Sequence, residues 1–169
     1  MTRLKTADGV RLWRLVKAGR EASAWDGEGS FRFGGRWNSR GVRVVYASSS
    51  LAVALLEILV HLDPAAPLPA LRAICATVPP GMIMELPKTS DKKNGGECST
   101  SIRFSVPLKV SRQLGDEWAR SRGKAVLCVP SVIVPTESNY LLNPMHLEFG
   151  SIKIGPPRDF AFDDRLRGK

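Results

Sequence analysis

Residues 51–62 read LAVALLEILVHL, a run that leaves no polar face in helical projection. A helix of this kind has to be covered by the rest of the fold nearly all round, which demands a sheet large enough to pack against it. Ser48, Ser49 and Ser50 offer hydroxyls to cap its start, and Asp63–Pro64 stops it. Glu57 is its only charged residue. An ionised carboxylate in such surroundings is costly unless it is paired, hydrogen-bonded or turned toward a cleft. Two readings follow: a structural carboxylate paired with a core arginine or with His61 one turn later, or a functional carboxylate at a cleft. A metal site on Glu57 and His61 is disfavoured, because His146 is the only other histidine of the chain.

The elements around this helix read as strands. Val10 to Val16 forms a first strand containing Trp13, Val42 to Ala47 a second, and Leu71 to Val78 a buried third bounded by Pro69 and Pro79–Pro80. Trp25 to Ser30 reads as loop, continued by Gly34–Gly35. Gln113 to Arg122 fits a short helix. Ala125 to Val134 holds two apolar β-type runs broken at Pro130–Ser131, and Ser151 to Ile154 adds a further strand. Strands with only one or two strong helices predict an α+β single domain with a mixed or antiparallel sheet, covering residues 1–169. The polar, Gly-rich stretch within residues 88–106 reads as a mobile surface loop.

With 169 residues, 43% of them apolar and 24% charged, whole-chain disorder and fibrous structure are excluded. Cys75, Cys98 and Cys128 form neither a disulfide framework nor a metal knuckle, which suits a reducing cytoplasm, and no apolar run is long enough to span a bilayer. The net charge is +9 and its distribution is uneven. Residues 1–46 carry ten basic and four acidic side chains, and residues 88–124 carry nine and four; the apolar block between them is slightly acidic. Neither block has the basic stripe interleaved with aromatics that single-stranded nucleic acid calls for. No GxGxxG or GxxxxGK[ST] motif is present. A basic module binding nucleic acid or an acidic protein stays open at this level.

Three further residues stand out. Arg36 lies in Gly34–Gly35–Arg36–Trp37–Asn38, where two glycines allow close backbone approach and a guanidinium can fork onto phosphate oxygens; a turn with a solvated arginine is the plainer alternative. Tyr46 ends the second strand just before the helix of Glu57, either at a shared cleft or as a core aromatic. Ser131 is a turn hydroxyl or a pocket donor, and no GxSxG surrounds it.

The order of the motifs is more specific than any of them singly. Leu12–Trp13–Arg14, Gly35–Arg36–Trp37–Asn38, Val45–Tyr46–Ala47–Ser48, Leu55–Leu56–Glu57 with His61–Leu62, Leu114–Gly115–Asp116–Glu117–Trp118, Val129–Pro130–Ser131 and Asn139–Tyr140–Leu141–Leu142–Asn143–Pro144–Met145–His146 together resemble the RES domain across about residues 11–147. The family's eponymous Arg, Glu and Ser match Arg36, Glu57 and Ser131. The resemblance implies a fold related to ADP-ribosyltransferases and a toxin of a type II toxin–antitoxin pair that depletes NAD⁺ by cleaving its nicotinamide–ribose bond, with water, phosphate or a protein as acceptor. It implies Arg36, Tyr46, Glu57 and Ser131 as catalytic residues, and Arg14, Arg36 and Tyr46 as NAD⁺ contacts. NAD⁺ is then substrate, with no cofactor or metal required. The implied partner is an Xre-like antitoxin whose C-terminal part covers the pocket entrance; the complex represses its own operon, and the chain by itself is not expected to touch nucleic acid or membrane. A homodimer or hetero-oligomer fits this scheme.

Overall fold

The computed structural model describes residues 5–6, 9–63, 66–86 and 106–166. The 88–106 segment, read above as a loop, lies outside them apart from Val106, as does Pro64. In chain order the elements are β1 (Lys5–Thr6), β2 (Gly9–Lys17), α1 (Glu28–Phe33), β3 (Val45–Ser48), α2 (Leu51–Leu59), β4 (Leu71–Val78), β5 (Ile83–Glu85), α3 (Leu108–Ser121), β6 (Val126–Pro130), β7 (Ser138–Leu142), β8 (Lys153–Ile154) and β9 (Arg158–Phe160). They build one sheet in the order β5-β6-β7-β3-β2-β4-β8, with β1 added to β2 and β9 to β4. Only the β5–β6 pair among these is parallel. The expected α+β class with a mixed sheet is what forms.

Alternation along the strands divides the core in two. Val10 and Leu12 of β2, Val45 and Ala47 of β3, Ala76 and Val78 of β4, and Tyr140 and Leu142 of β7 share one face. On the other face α3 packs Trp118 onto Leu127, Val129 and Leu141, together with Trp37 and Val44. Further along that face, α2 packs Ala54 onto Leu15, Leu71 and Ala73.

Several expectations shift for physical reasons. The apolar helix is not buried all round. It meets the sheet along one side only, burying Val53 and Ala54, while Leu56 and Val60 are 38% and 57% exposed. It ends at Leu59, and Ser50 supplies the cap, its hydroxyl accepting from the Val53 N–H at 3.2 Å. Part of the first predicted loop is α1, a six-residue helix that buries none of its residues and therefore leaves no apolar period in the sequence. Polar contacts hold it instead: Asp26 Oδ1 accepts from the Glu28 N–H at 2.7 Å, and Glu28 pairs with Arg32 and Arg43. The second apolar run after Pro130 is a turn, because Ser131 Oγ accepts from the N–H groups of Ile133 and Val134 and diverts the chain from extended geometry. Beyond it, β7 forms a central strand that begins with the polar residues Ser138 and Asn139.

The path from α1 to β3 is locked onto α3 at a close approach. A Cβ added at Gly115 would lie 1.8 Å from the Trp37 carbonyl oxygen, so α3 can pass there only with glycine. Asp116, next in α3, accepts from the Ser39 N–H at 2.9 Å. Gly115→Ala is expected to destabilise the protein by about 2 kcal/mol or more through overpacking. Urea unfolding beside Gly81→Ala, where the added carbon meets open space, checks this; equal midpoints for the two variants would contradict the packing.

Candidate active site

The strands β2 and β3 pair at one register position, Trp13 with Ser48, whereas β2 and β4 pair over the full length from Val10↔Val78 to Lys17↔Leu71. Continuing the first register would set Leu15 opposite Tyr46. Instead, the Arg14 Nη1 donates to the Tyr46 carbonyl oxygen at 2.5 Å, so a side chain takes a position that a ladder bond would otherwise fill. Next to this divergence opens a cleft of about 360 Å³, whose lining includes Trp13, Arg14, Arg36, Tyr46, Glu57 and Asn139. Ser48 and His61 also reach it.

Arg14 is held cationic in poor solvation. Burial lowers its guanidinium to about 10, opposed by the charge of Asp26, so it stays protonated at neutral pH. Among the described residues, its Nε is buried without a hydrogen-bond partner. Arg36 reaches the cleft from the turn after α1, and its Nη2 donates to the Val106 carbonyl at 3.0 Å.

Tyr46 is both a cleft wall and a strut. Its hydroxyl donates to Asn38 Oδ1 at 2.7 Å and accepts from the Trp37 N–H at 3.1 Å. Asn38, fully buried, spends its Nδ2 on the carbonyls of Ser30, Ser39 and Val42. Gly35 is required here, since a Cβ would sit 2.5 Å from the Tyr46 hydroxyl, and Arg112 Nε donates to its carbonyl at 2.8 Å. Burial pushes the Tyr46 phenol up to about 12, so the neutral donor form persists. With its hydroxyl so engaged, Tyr46 has its ring to offer a ligand.

Glu57 on α2 lines the cleft and is held by neutral donors. Its Oε1 accepts from Asn139 Nδ2 at 2.5 Å and from Ser131 Oγ at 3.1 Å. The partner expected of a purely structural carboxylate, a core arginine or His61, is thus replaced by an amide and a hydroxyl. Ser131 is fully buried, behind the carboxylate rather than on the cleft wall, so it is both the turn hydroxyl and a donor to Glu57.

The structure therefore brings Arg14, Arg36, Tyr46 and Glu57 to one cleft, with Ser131 reaching it through Glu57. Sequence reasoning gave no site role to Asn139 and offered Ser48 only as a helix cap, a place that Ser50 takes; where the two residues sit became evident only with the pairing of β7 and β3. Among the described residues there is no group of three His, Cys, Asp or Glu that could hold a metal ion, and no helix long and apolar enough to cross a membrane.

The RES domain family model matches residues 11–163. The chain belongs to the RES domain family. Among curated relatives of this RES protein, "Toxin Res" of Yersinia enterocolitica is 35% identical over 159 residues, covering 94% of this chain and all of the relative. "Prs ADP-ribosylating toxin" of a Sphingobium species is 36% identical over 157 residues, covering 92% and 95% of the two chains. A chain from the crystal structure of the Mycobacterium tuberculosis MbcT–MbcA toxin–antitoxin complex shares the fold, with a TM-score of 0.67 at 18% identity over 93% of this chain and 86% of that one.

Removing the Tyr46 hydroxyl takes away a donor to Asn38 Oδ1 and an acceptor of the Trp37 N–H. Tyr46→Phe is expected to lose about 1–3 kcal/mol of stability in chemical denaturation, and a variant as stable as wild type would show that the hydroxyl is not the strut described.

Proposed function

We propose that this RES protein is the toxin of a toxin–antitoxin pair and that it consumes NAD⁺ by breaking the bond between nicotinamide and ribose. The observation that carries this reading is the cleft itself, where a carboxylate fixed by neutral donors shares one concave surface with two guanidiniums. Curated relatives that this chain matches along nearly its whole length are called toxins, which supports the cellular role.

The residues suit the chemistry. The nicotinamide–ribose bond breaks with its electron pair leaving on nicotinamide, which becomes neutral, while positive charge develops over the ribose C1′ and ring oxygen. A carboxylate orienting the ribose hydroxyls and facing that charge stabilises the transition state more than the bound substrate. Glu57 takes this role. Arg14 and Arg36 bind the pyrophosphate oxygens, the Arg14 Nε being a buried donor without a partner among the described residues. The ring of Tyr46 packs on the nicotinamide riboside, and Ser131 steadies Glu57 from behind. Water adding at C1′ with loss of a proton completes hydrolysis; inorganic phosphate in its place gives phosphorolysis.

A second reading shares the same first step. Transfer of ADP-ribose to a protein also requires departure of nicotinamide, and the Sphingobium relative is named for ADP-ribosylation of Prs. The acceptor then enters where water would. In either case the partner that silences the protein in the cell is an antitoxin, of the Xre-like kind that the resemblance implies.

Purified protein given NAD⁺ should release nicotinamide, alone, with inorganic phosphate, or with an acceptor protein that gains the mass of ADP-ribose. Glu57→Gln should lower kcat by about 100-fold or more, the scale of losing a charge-stabilising group at the reacting centre. Intact NAD⁺ in all three incubations with the wild-type protein would refute the reading.

A further inference from the structure

Asn139 stands opposite Ser48 in the β3–β7 register and opposite Val129 in the β6–β7 register, near the start of β7 and just after the Ser131 turn. Its Oδ1 accepts from Ser48 Oγ at 2.8 Å, while its Nδ2 donates to Glu57 Oε1 at 2.5 Å. These two bonds define which way the amide faces, because a half-turn would set Oδ1 against a carboxylate oxygen, acceptor against acceptor. Ser48 is buried, and it also marks the one register position that β2 and β3 share. The chain of contacts Ser48–Asn139–Glu57 therefore runs from the point where the sheet diverges to the carboxylate on the cleft wall.

Strand pairing does not need this polar pair. β3 and β7 are joined through four consecutive register positions, Val45↔Leu142 to Ser48↔Asn139, and apolar or hydroxyl pairs serve equally well at cross-strand positions. What the amide adds is a donor aimed at Glu57. Among the described residues the hydrogen bonds to that carboxylate all fall on Oε1.

We infer that Asn139, oriented by Ser48, is a positioning residue for the reaction: it fixes the rotation of the Glu57 carboxylate so that Oε1 is saturated by protein donors and Oε2 meets the ribose hydroxyls and the developing positive charge. The inference rests on the NAD⁺-cleaving reading given above. Because the carboxylate remains present and only its orientation is lost, removal of the amide acts on the transition state, where alignment matters most, and less on binding, which the arginines supply. A residue that merely held the fold together would instead move stability and leave the kinetics of the folded fraction alone.

The test is steady-state nicotinamide release from NAD⁺ by wild type, Asn139→Leu, Ser48→Ala and the double variant, with thermal melting of each. Asn139→Leu should lower kcat by about 10–100-fold, the size of one hydrogen bond to a charged group, with KM within about threefold of wild type. Ser48→Ala should lower kcat by a smaller factor, and the double variant should be no slower than Asn139→Leu, since Ser48 acts through Asn139. Where Asn139→Leu does not fold, Ser48→Ala carries the test by the same split of kcat from KM. An active wild type with Asn139→Leu at wild-type kcat, or with its loss confined to KM, overturns the inference alone. An inert wild type overturns the reading beneath it and this inference with it.

Discussion

Two adjacent strands that meet at a single register pair leave backbone groups without ladder partners, and something else has to satisfy them. Arg14 does this for the Tyr46 carbonyl, and the rest of the cleft is arranged around that divergence. A guanidinium is long and rich in donors, so it can serve one backbone acceptor and still present another donor. The cation held by the opening between β2 and β3 is thus structural, and it also lines the cleft. Ser48, at the pairing point itself, anchors Asn139, which holds Glu57 on the facing helix. Cation and carboxylate are both positioned by the place where the sheet comes apart.

The same economy appears in the turn carrying Arg36. Gly35 admits the Tyr46 hydroxyl, Tyr46 holds Asn38, Asn38 gathers three carbonyls, and Arg112 and Asp116 tie the turn to α3. The turn that carries Arg36 is thereby embedded in a network of buried polar groups that bond to one another. Such a network is rigid, because breaking any one bond strands a group in low dielectric. The rigidity holds the turn so that Arg36 lines the cleft.

What was legible in the sequence follows the strength of the local signal. β2 and β4 carry enough apolar patterning, and α2 a long enough apolar run after its serine cap, to be located, Leu71–Val78 at both ends. Glu57 stood out as the lone charge of an apolar run, Arg36 by its glycine-flanked turn and Tyr46 by its place at a strand end, whereas Arg14 was found only through the family resemblance carried by the order of short motifs. α1 escaped because it buries nothing, and β7 because a central strand that begins with Ser138 and Asn139 lacks the apolar start of its neighbours. The full burial expected of the helix bearing Glu57 failed for a different reason: apolar composition says that a face is free to be buried, and only the tertiary arrangement says whether anything covers it. Asn139 was invisible as a site residue because its role depends on pairing across 82 residues of chain.

In the proposed function, the cleft beside the β2–β3 divergence binds NAD⁺ with its nicotinamide ribose at residue 57. A crystal structure of the Glu57→Gln protein, which retains the shape of the site, grown with NAD⁺ measures this directly. The predicted result is the dinucleotide in the cleft, its pyrophosphate within hydrogen-bond reach of Arg14 and Arg36 and its nicotinamide ribose beside residue 57. NAD⁺ bound elsewhere, such as along the exposed side of α3, or an empty cleft at saturating NAD⁺, would contradict it.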